Sequence, residues 1–200
     1  MHSSATTRAV DPRPARTRAA IYDAVERLAG GDGAEVSVNA VTRAAGVSRS
    51  AFYAQFSDLD DLAVAMLVDA FRRIGTDDVA ARADTVTGAD AHALAAASIG
   101  RLVDHIAHRR AFYRASLEWR LTSRVHETVV SAFADQVLAT MRVLGERVPA
   151  AVDQQDAARF IAGGAVSILT AWLREDRPSA PESLVTRLMT PMPEWLVGVA

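Results

Sequence analysis

The stretch Ser37-Val-Asn-Ala-Val-Thr-Arg-Ala-Ala-Gly46-Val-Ser-Arg-Ser-Ala-Phe-Tyr-Ala-Gln-Phe56 decides the fold. Ser37 is a helix-capping residue ahead of a short segment, 38–45, whose Val41 and Ala45 share one face. Gly46 stands where a helix ends in a left-handed residue. Ser48 caps a second segment, 49–56, in which Phe52 and Phe56, four apart, face the same way. Two short helices joined through Gly46-Val47-Ser48, with Val47 placed to plug the space between them, make a helix-turn-helix. In that arrangement the second helix enters the major groove of DNA. With Phe52 and Phe56 turned inward, Arg49, Ser50, Tyr53 and Gln55 remain for outward polar contacts. Arg forks onto guanine and Gln onto adenine, while Tyr, Ser and helix N-termini hold phosphates. Helix pairs with a Gly turn also occur in proteins that never touch DNA, so the pattern alone leaves both readings open.

Working outward, no strand-like alternation persists anywhere, and period-3.6 apolar patterns recur from end to end. The expected fold is all-α, with about nine helices. A polar, disordered arm (1–15) precedes a three-helix reader (16–57) and a helical bundle (58–200). The first helix covers 17–29, with Ile21, Val25 and Leu28 on one face, and Gly30, Gly31 and Gly33 make the following turn. Ser57 with Asp60 signals the start of a fourth helix over 58–74, and 75–88 reads as a loop or partial helix. Thr87 with Asp90 opens a fifth helix carrying Leu94, Ile99, Leu102, Val103 and Ile106. A sixth spans about 110–120. A seventh runs from Ser123 along the row Val125, Val129, Phe133, Val137, Met141, Leu144 and Val148, until Pro149 ends it. Asp153 caps an eighth that continues to 174. Ser179 with Glu182 caps a ninth, stopped by Pro191.

Charge and absences narrow the function. The net charge is −2, so DNA affinity must come from a local patch. Residues 1–56 hold seven Arg against five acids, a slight positive excess over a negative remainder. There is no Cys, which removes disulfides, thiolate metal sites and thiol nucleophiles. All 22 basic residues are Arg, which removes the Lys of phosphate loops and Schiff bases. Charge interrupts every apolar run before it could span a membrane, and residues 1–14 lack the apolar segment of a signal peptide. A cytoplasmic protein with no membrane contact is expected.

From about Arg16 to Leu62 the order resembles the DNA-binding domain of the TetR family of bacterial repressors. The residues that carry the likeness are Gly33, Ser37-Val38, Val41, Ala44-Ala45-Gly46-Val47-Ser48, Phe52-Tyr53, Phe56 and Leu62. The resemblance implies DNA contacts from Ser37, Asn39, Ser48, Arg49, Ser50, Tyr53 and Gln55. Two departures stand out. Leu59 occupies the place of a phosphate-gripping Lys, and Ser50 replaces a Gly or Pro early in the third helix. One phosphate contact is thereby lost, for which Arg16 or Arg18 on the N-terminal side could substitute.

The C-terminal two-thirds resembles the family in outline only. The run Phe160-Ile161-Ala-Gly-Gly-Ala-Val-Ser-Ile-Leu-Thr-Ala-Trp172-Leu173, followed by Pro181-Glu182, looks like the family's last two helices, which form a four-helix dimer interface. The likeness implies a homodimer built from Phe160, Gly164, Ile168, Leu184 and Leu188. Gly163 and Gly164 each cost a helix about 1 kcal/mol relative to Ala, which points to a backbone packed closely there, in a partner or in the same chain. A small, mainly apolar effector is expected among helices four to eight. Candidate lining residues are His105, Phe112, Tyr113, Trp119, Phe133, Met141 and Trp172, with Arg120 and His126 as further polar handles, though plain core packing competes for each. No cofactor is expected.

The leading reading is therefore a ligand-responsive repressor binding a palindromic double-stranded operator, and not an enzyme. Against it stand a helical enzyme or metal-binding bundle and a protein-binding adaptor without DNA affinity. His105 and His108, three apart, could hold a metal with Glu118 or His126. No nucleophile elbow or nucleotide fingerprint supports an enzyme, and Gly30-Gly-Asp-Gly33 reads as a turn.

Overall fold

The computed structural model describes residues 13–29, 36–83, 88–118 and 123–198. Every regular element among them is helical: α1 (Arg13–Ala29), α2 (Val38–Ala45), α3 (Arg49–Tyr53), α4 (Leu59–Ala83), α5 (Gly88–His108), α6 (Arg110–Glu118), α7 (Ser123–Leu144), α8 (Gln154–Arg174), α9 (Pro181–Met189) and α10 (Glu194–Val197), with a 3-10 turn at Gly145–Arg147. The chain divides into two compact units, Met1–Asp58 and Leu59–Ala200.

In the first unit the sequence signals become local bonds. Ser37 Oγ accepts the Ala40 N–H at 3.2 Å and caps α2. Gly46 is left-handed at φ 67°, and the following Val47 N–H reaches back to the Thr42 carbonyl. Ser48 Oγ accepts the Ala51 N–H at 3.1 Å and caps α3. Ile21, Ala24, Val25, Val41, Phe52 and Phe56 are buried. The Phe52 and Phe56 rings lie 5.7 Å apart, and Tyr22 stacks on Phe56 at 6.2 Å. Two boundaries differ from expectation. α3 stops at Tyr53, so Phe56 reaches the core from a turn. α1 begins at Arg13, so 13–15 is helical; Pro14 sits in its first turn, where the missing N–H costs nothing. The rest of the expected arm and the Gly30–Gly33 turn lie outside the described residues.

The second unit is a helical bundle whose core joins α5, α7 and α8, with Met189 of α9 and Leu196 and Val197 of α10 closing one end. Phe71 of α4 stacks on Phe133 of α7 at 5.0 Å and 12°. The main correction is α4, which runs through Gly75 to Ala83 instead of stopping at Ile74. Its buried face continues at a four-residue step through Leu62, Met66, Ala70, Ile74, Asp78 and Arg82. The apolar pattern stops at Ile74, but the buried pattern does not, because Asp78 and Arg82 pair with each other at 2.7 Å.

Three smaller differences have local causes. α7 ends at Leu144, since Gly145 takes φ 54° and starts the 3-10 turn before Pro149 is reached. Asp153 caps α8 by accepting the Asp156 N–H. Ser179 does not cap α9; that helix starts at Pro181 behind Ala180, and Ser179 instead accepts the Trp172 indole N–H on its carbonyl. α10 is a tenth helix that the sequence reading lacked, initiated behind Pro193.

Candidate nucleic-acid interface and ligand cavities

The helix-turn-helix leaves one strip of side chains outside. Asn39, Ser48, Arg49 and Ser50 are exposed and Tyr53 is 49% exposed, while Ser37 and Gln55 are half-buried. Tyr53 owes its position to Phe52, one residue earlier on the opposite side, whose fully buried ring meets it edge-on at 5.5 Å. The hydroxyls of Ser37 and Ser48 accept backbone N–H groups, so what they can offer a phosphate is their own proton. Ser48 and Ser50 also share a hydrogen bond of 2.9 Å across the start of α3.

Positive charge flanks this strip. Arg43 and Arg16 are exposed. Arg18 lies with its guanidinium 5.2 Å from the Phe56 ring centre, held by a cation–π contact. Arg27 donates to the Ala44 carbonyl at 2.6 Å, tying α1 to the end of α2. The arrangement is a doubly capped helix pair with exposed Arg, Ser and Tyr donors, and no acid lies in α2 or α3 to oppose a polyanion.

In the bundle the candidate effector residues part company. Phe133 lines one cavity and Tyr113 another. Phe112, Met141 and Trp172 are fully buried core and line neither, as close packing in a bundle demands. Trp119 and Arg120 lie outside the described residues. His105 meets the Tyr113 hydroxyl at 2.8 Å. Burial, helped by the nearby charges of Arg73 and His108, lowers its pKa to about 4, so the ring is neutral near pH 7. His108 instead bonds the Asp104 carbonyl, and among the described residues no three His, Asp or Glu side chains come together as a metal site.

The second cavity, about 70 Å³, has Tyr113, Leu117 and His126 in its wall. The first, about 100 Å³, is apolar except for Asp78, Arg82, Ser98, Gln136 and Thr140, none of which the sequence reading had singled out. Their one signal was the four-residue spacing of Asp78 and Arg82 in phase with the apolar face before them.

The residues expected at a dimer interface also separate. Phe160 is 83% exposed, Gly164 is exposed and Ile168 is half-buried, all on one side of α8. A Cβ added at Gly163 or Gly164 would meet nothing within 4 Å among the described residues, so no described part of the chain's own fold explains these glycines. Leu184 and Leu188 are corrected: they are buried at 0% and 2% in the chain's own interior, where α9 packs on α5, and cannot present an outer apolar face.

Residues 21–66 match the family model described as bacterial regulatory proteins, tetR family. No curated protein matches the chain.

Proposed function

We propose that the chain, whose residues 21–66 match the tetR-family model, is a DNA-binding transcriptional regulator of that kind, acting in the cytoplasm as a homodimeric repressor that releases a palindromic operator when a small, mainly apolar effector enters its bundle. The observation that carries the reading is the exposed Arg49–Ser50–Tyr53 strip on α3, behind a turn fixed by two serine caps. Arg49 is the candidate for base contact, Tyr53 and Ser50 for phosphate, with Ser37, Asn39, Ser48 and Gln55 at the margins.

Dimerisation is supported by the exposed side of α8. An exposed Phe160, one turn from an exposed glycine, suits an isologous contact in which two copies of α8 cross closely at Gly164. The polar outer residues of α9, Glu182, Ser183 and Thr186, would then lie at the rim. Effector coupling is supported by connectivity, because α4 begins at Leu59, directly after the reader unit ends. A ligand that spreads the bundle would displace α4 and alter the spacing of two reading helices, which must match half-sites about 34 Å apart. Coupling of about 1–3 kcal/mol suffices, and operator DNA must weaken the ligand by the same factor.

Selection of bound sequences from a random DNA pool tests the reading. Enrichment of a two-fold symmetric site is expected. Arg49→Ala should weaken that site by about 1–3 kcal/mol and relax one position per half-site. Failure to enrich any sequence, or unchanged binding by Arg49→Ala, refutes it.

A further inference from the structure

The larger cavity, about 100 Å³, lies among α4, α5, α7 and the chain around α10, with Phe71, Ile99, Leu102, Phe133 and Val137 in its walls. Its one charged feature is closed on itself. Asp78 Oδ2 accepts the Arg82 Nε–H at 2.7 Å and the Thr140 hydroxyl at 3.4 Å, and Oδ1 accepts the Ser98 hydroxyl at 2.7 Å. Arg101 donates to the Ser98 oxygen at 3.0 Å, so that hydroxyl is occupied in both senses. Arg82 Nη1 donates to the Leu196 carbonyl at 3.1 Å. Among the described residues no hydrogen bond engages Arg82 Nη2, although the side chain is only 5% exposed and lines the cavity.

From this arrangement we propose that the cavity binds a small uncharged molecule, apolar except for one acceptor oxygen that carries no hydrogen (a ketone, an aldehyde or an ether), with Arg82 as the donor to that oxygen. The inference deepens the effector-response reading and rests on it for its regulatory meaning, but not for the binding itself. Size sets the first limit: an apolar cavity of about 150 Å³ holds one benzene, so about six heavy atoms is the upper bound for a cavity of about 100 Å³. Charge sets the second. Asp78 and Arg82 cancel, so a ligand carboxylate would compete with Asp78 for one guanidinium, and an ammonium would meet Arg82 with its carboxylate partner already taken. Either would leave net charge against a largely apolar wall. Hydrogen bonding sets the third. The Asp78 acceptors and the Ser98 hydroxyl are used within the cluster, whereas a donor remains on Arg82, so the ligand's polar atom should accept.

The test titrates the full-length protein with cyclopentanone, its hydrocarbon isostere methylenecyclopentane, cyclobutanecarboxylate and cyclopentylammonium, read by calorimetry and thermal shift. Cyclopentanone should bind about tenfold more tightly than methylenecyclopentane, the scale of one hydrogen bond to a charged donor. The two charged compounds should bind more weakly than either. The double substitution Asp78→Leu/Arg82→Met removes both charges together and should abolish the preference for the ketone. Ile99→Phe, which fills the cavity from a half-buried position, should abolish binding even if the double variant fails to fold. Equal binding of ketone and hydrocarbon, tighter binding of either ion, or ketone binding that survives Ile99→Phe would overturn the assignment. Operator affinity followed in the same titration keeps the two readings apart. Cyclopentanone that binds the native protein but not Ile99→Phe, with no change in operator affinity, leaves the cavity assignment standing and sinks the effector response. An operator response that persists in Ile99→Phe does the reverse.

Discussion

The two units use polar groups in opposite ways. In the reader, Ser37, Ser48 and Gly46 make bonds that reach no more than five residues, and the remaining polar side chains of α3 face outward. In the bundle, Asp78 and Arg82 are buried, and their partners are Ser98, Thr140 and Leu196, up to 114 residues away. Arg110 shows the same long reach, donating to the Leu173 and Glu175 carbonyls at the end of α8 while its guanidinium lies 5.3 Å from the Trp172 ring centre. A damaged cap should therefore loosen one helix end, while a damaged buried pair should loosen several helices at once.

The sharpest way to break that contrast is Asp78→Ala. It leaves the Arg82 charge buried without its partner and should destabilise the second unit by about 3–5 kcal/mol. Asp78→Leu/Arg82→Met, which removes both charges and keeps the volume, should cost far less. Chemical denaturation of the three proteins decides it. If the single variant loses less than about 1 kcal/mol, water reaches the pair and the bundle is not organised around it.

Next in size is a pH effect confined to the bundle. His105 is neutral in the fold, its pKa lowered to about 4 from 6.5. Between those values the unfolded chain binds a proton that the folded chain refuses, so stability falls as pH drops through 6.5 and levels off below about 4. A loss of about 1–3 kcal/mol is expected across the window. His105→Leu should flatten the slope between pH 7 and 5, above the range where most carboxylates titrate. An unchanged slope in that variant would mean that the His105–Tyr113 contact admits the proton.

The same contrast explains what could be read in advance. The caps at Ser37 and Ser48, the left-handed Gly46 and the inward Phe52 and Phe56 were legible because each depends on neighbours within one helical turn. Exposure of Arg49 and Tyr53 followed from that phase. In the bundle, Gly75, Asp78 and Arg82 looked like the end of α4, because hydrophobicity stands in for burial only while buried residues are apolar. Two opposite charges at a four-residue step continue a buried face without continuing an apolar one. Phe112, Met141 and Trp172 could not be told from cavity-lining residues, because core and cavity walls use the same side chains and differ only in what lies opposite. Leu184 and Leu188 form a stripe that suits a partner helix or the chain's own core equally well, and α5 fills that place.

A smaller effect sharpens the local side of the comparison. Ser48→Ala removes the acceptor for the Ala51 N–H and should cost the first unit about 1 kcal/mol, within a range of about 0.5–2. Hydrogen exchange should accelerate in α2 and α3 and stay unchanged in α7 and α8. Acceleration spread through both units would show that the caps are not local in their consequences.

The smallest expected effect is at Gly75, and it asks whether a glycine in mid-helix is there for space. Its backbone is helical and needs no glycine freedom, so Ala should gain about 1 kcal/mol of helix propensity. An added Cβ, however, would overlap the Oε1 and Cδ atoms of Gln136, which rests against α4 at this point. Gln136 is half-buried and its amide end can rotate, at about 0.5–1.5 kcal/mol for a poorer side-chain conformation. The two terms nearly cancel, and Gly75→Ala should stay within about 1 kcal/mol of the native stability. In a Gln136→Ala background the clash is gone, so the same substitution should stabilise by about 1 kcal/mol. The difference between the two backgrounds is the coupling that a double-mutant cycle measures. Identical effects in both would mean that Gly75 is not making room for Gln136. The close approach of α4 and α7 would then need another cause.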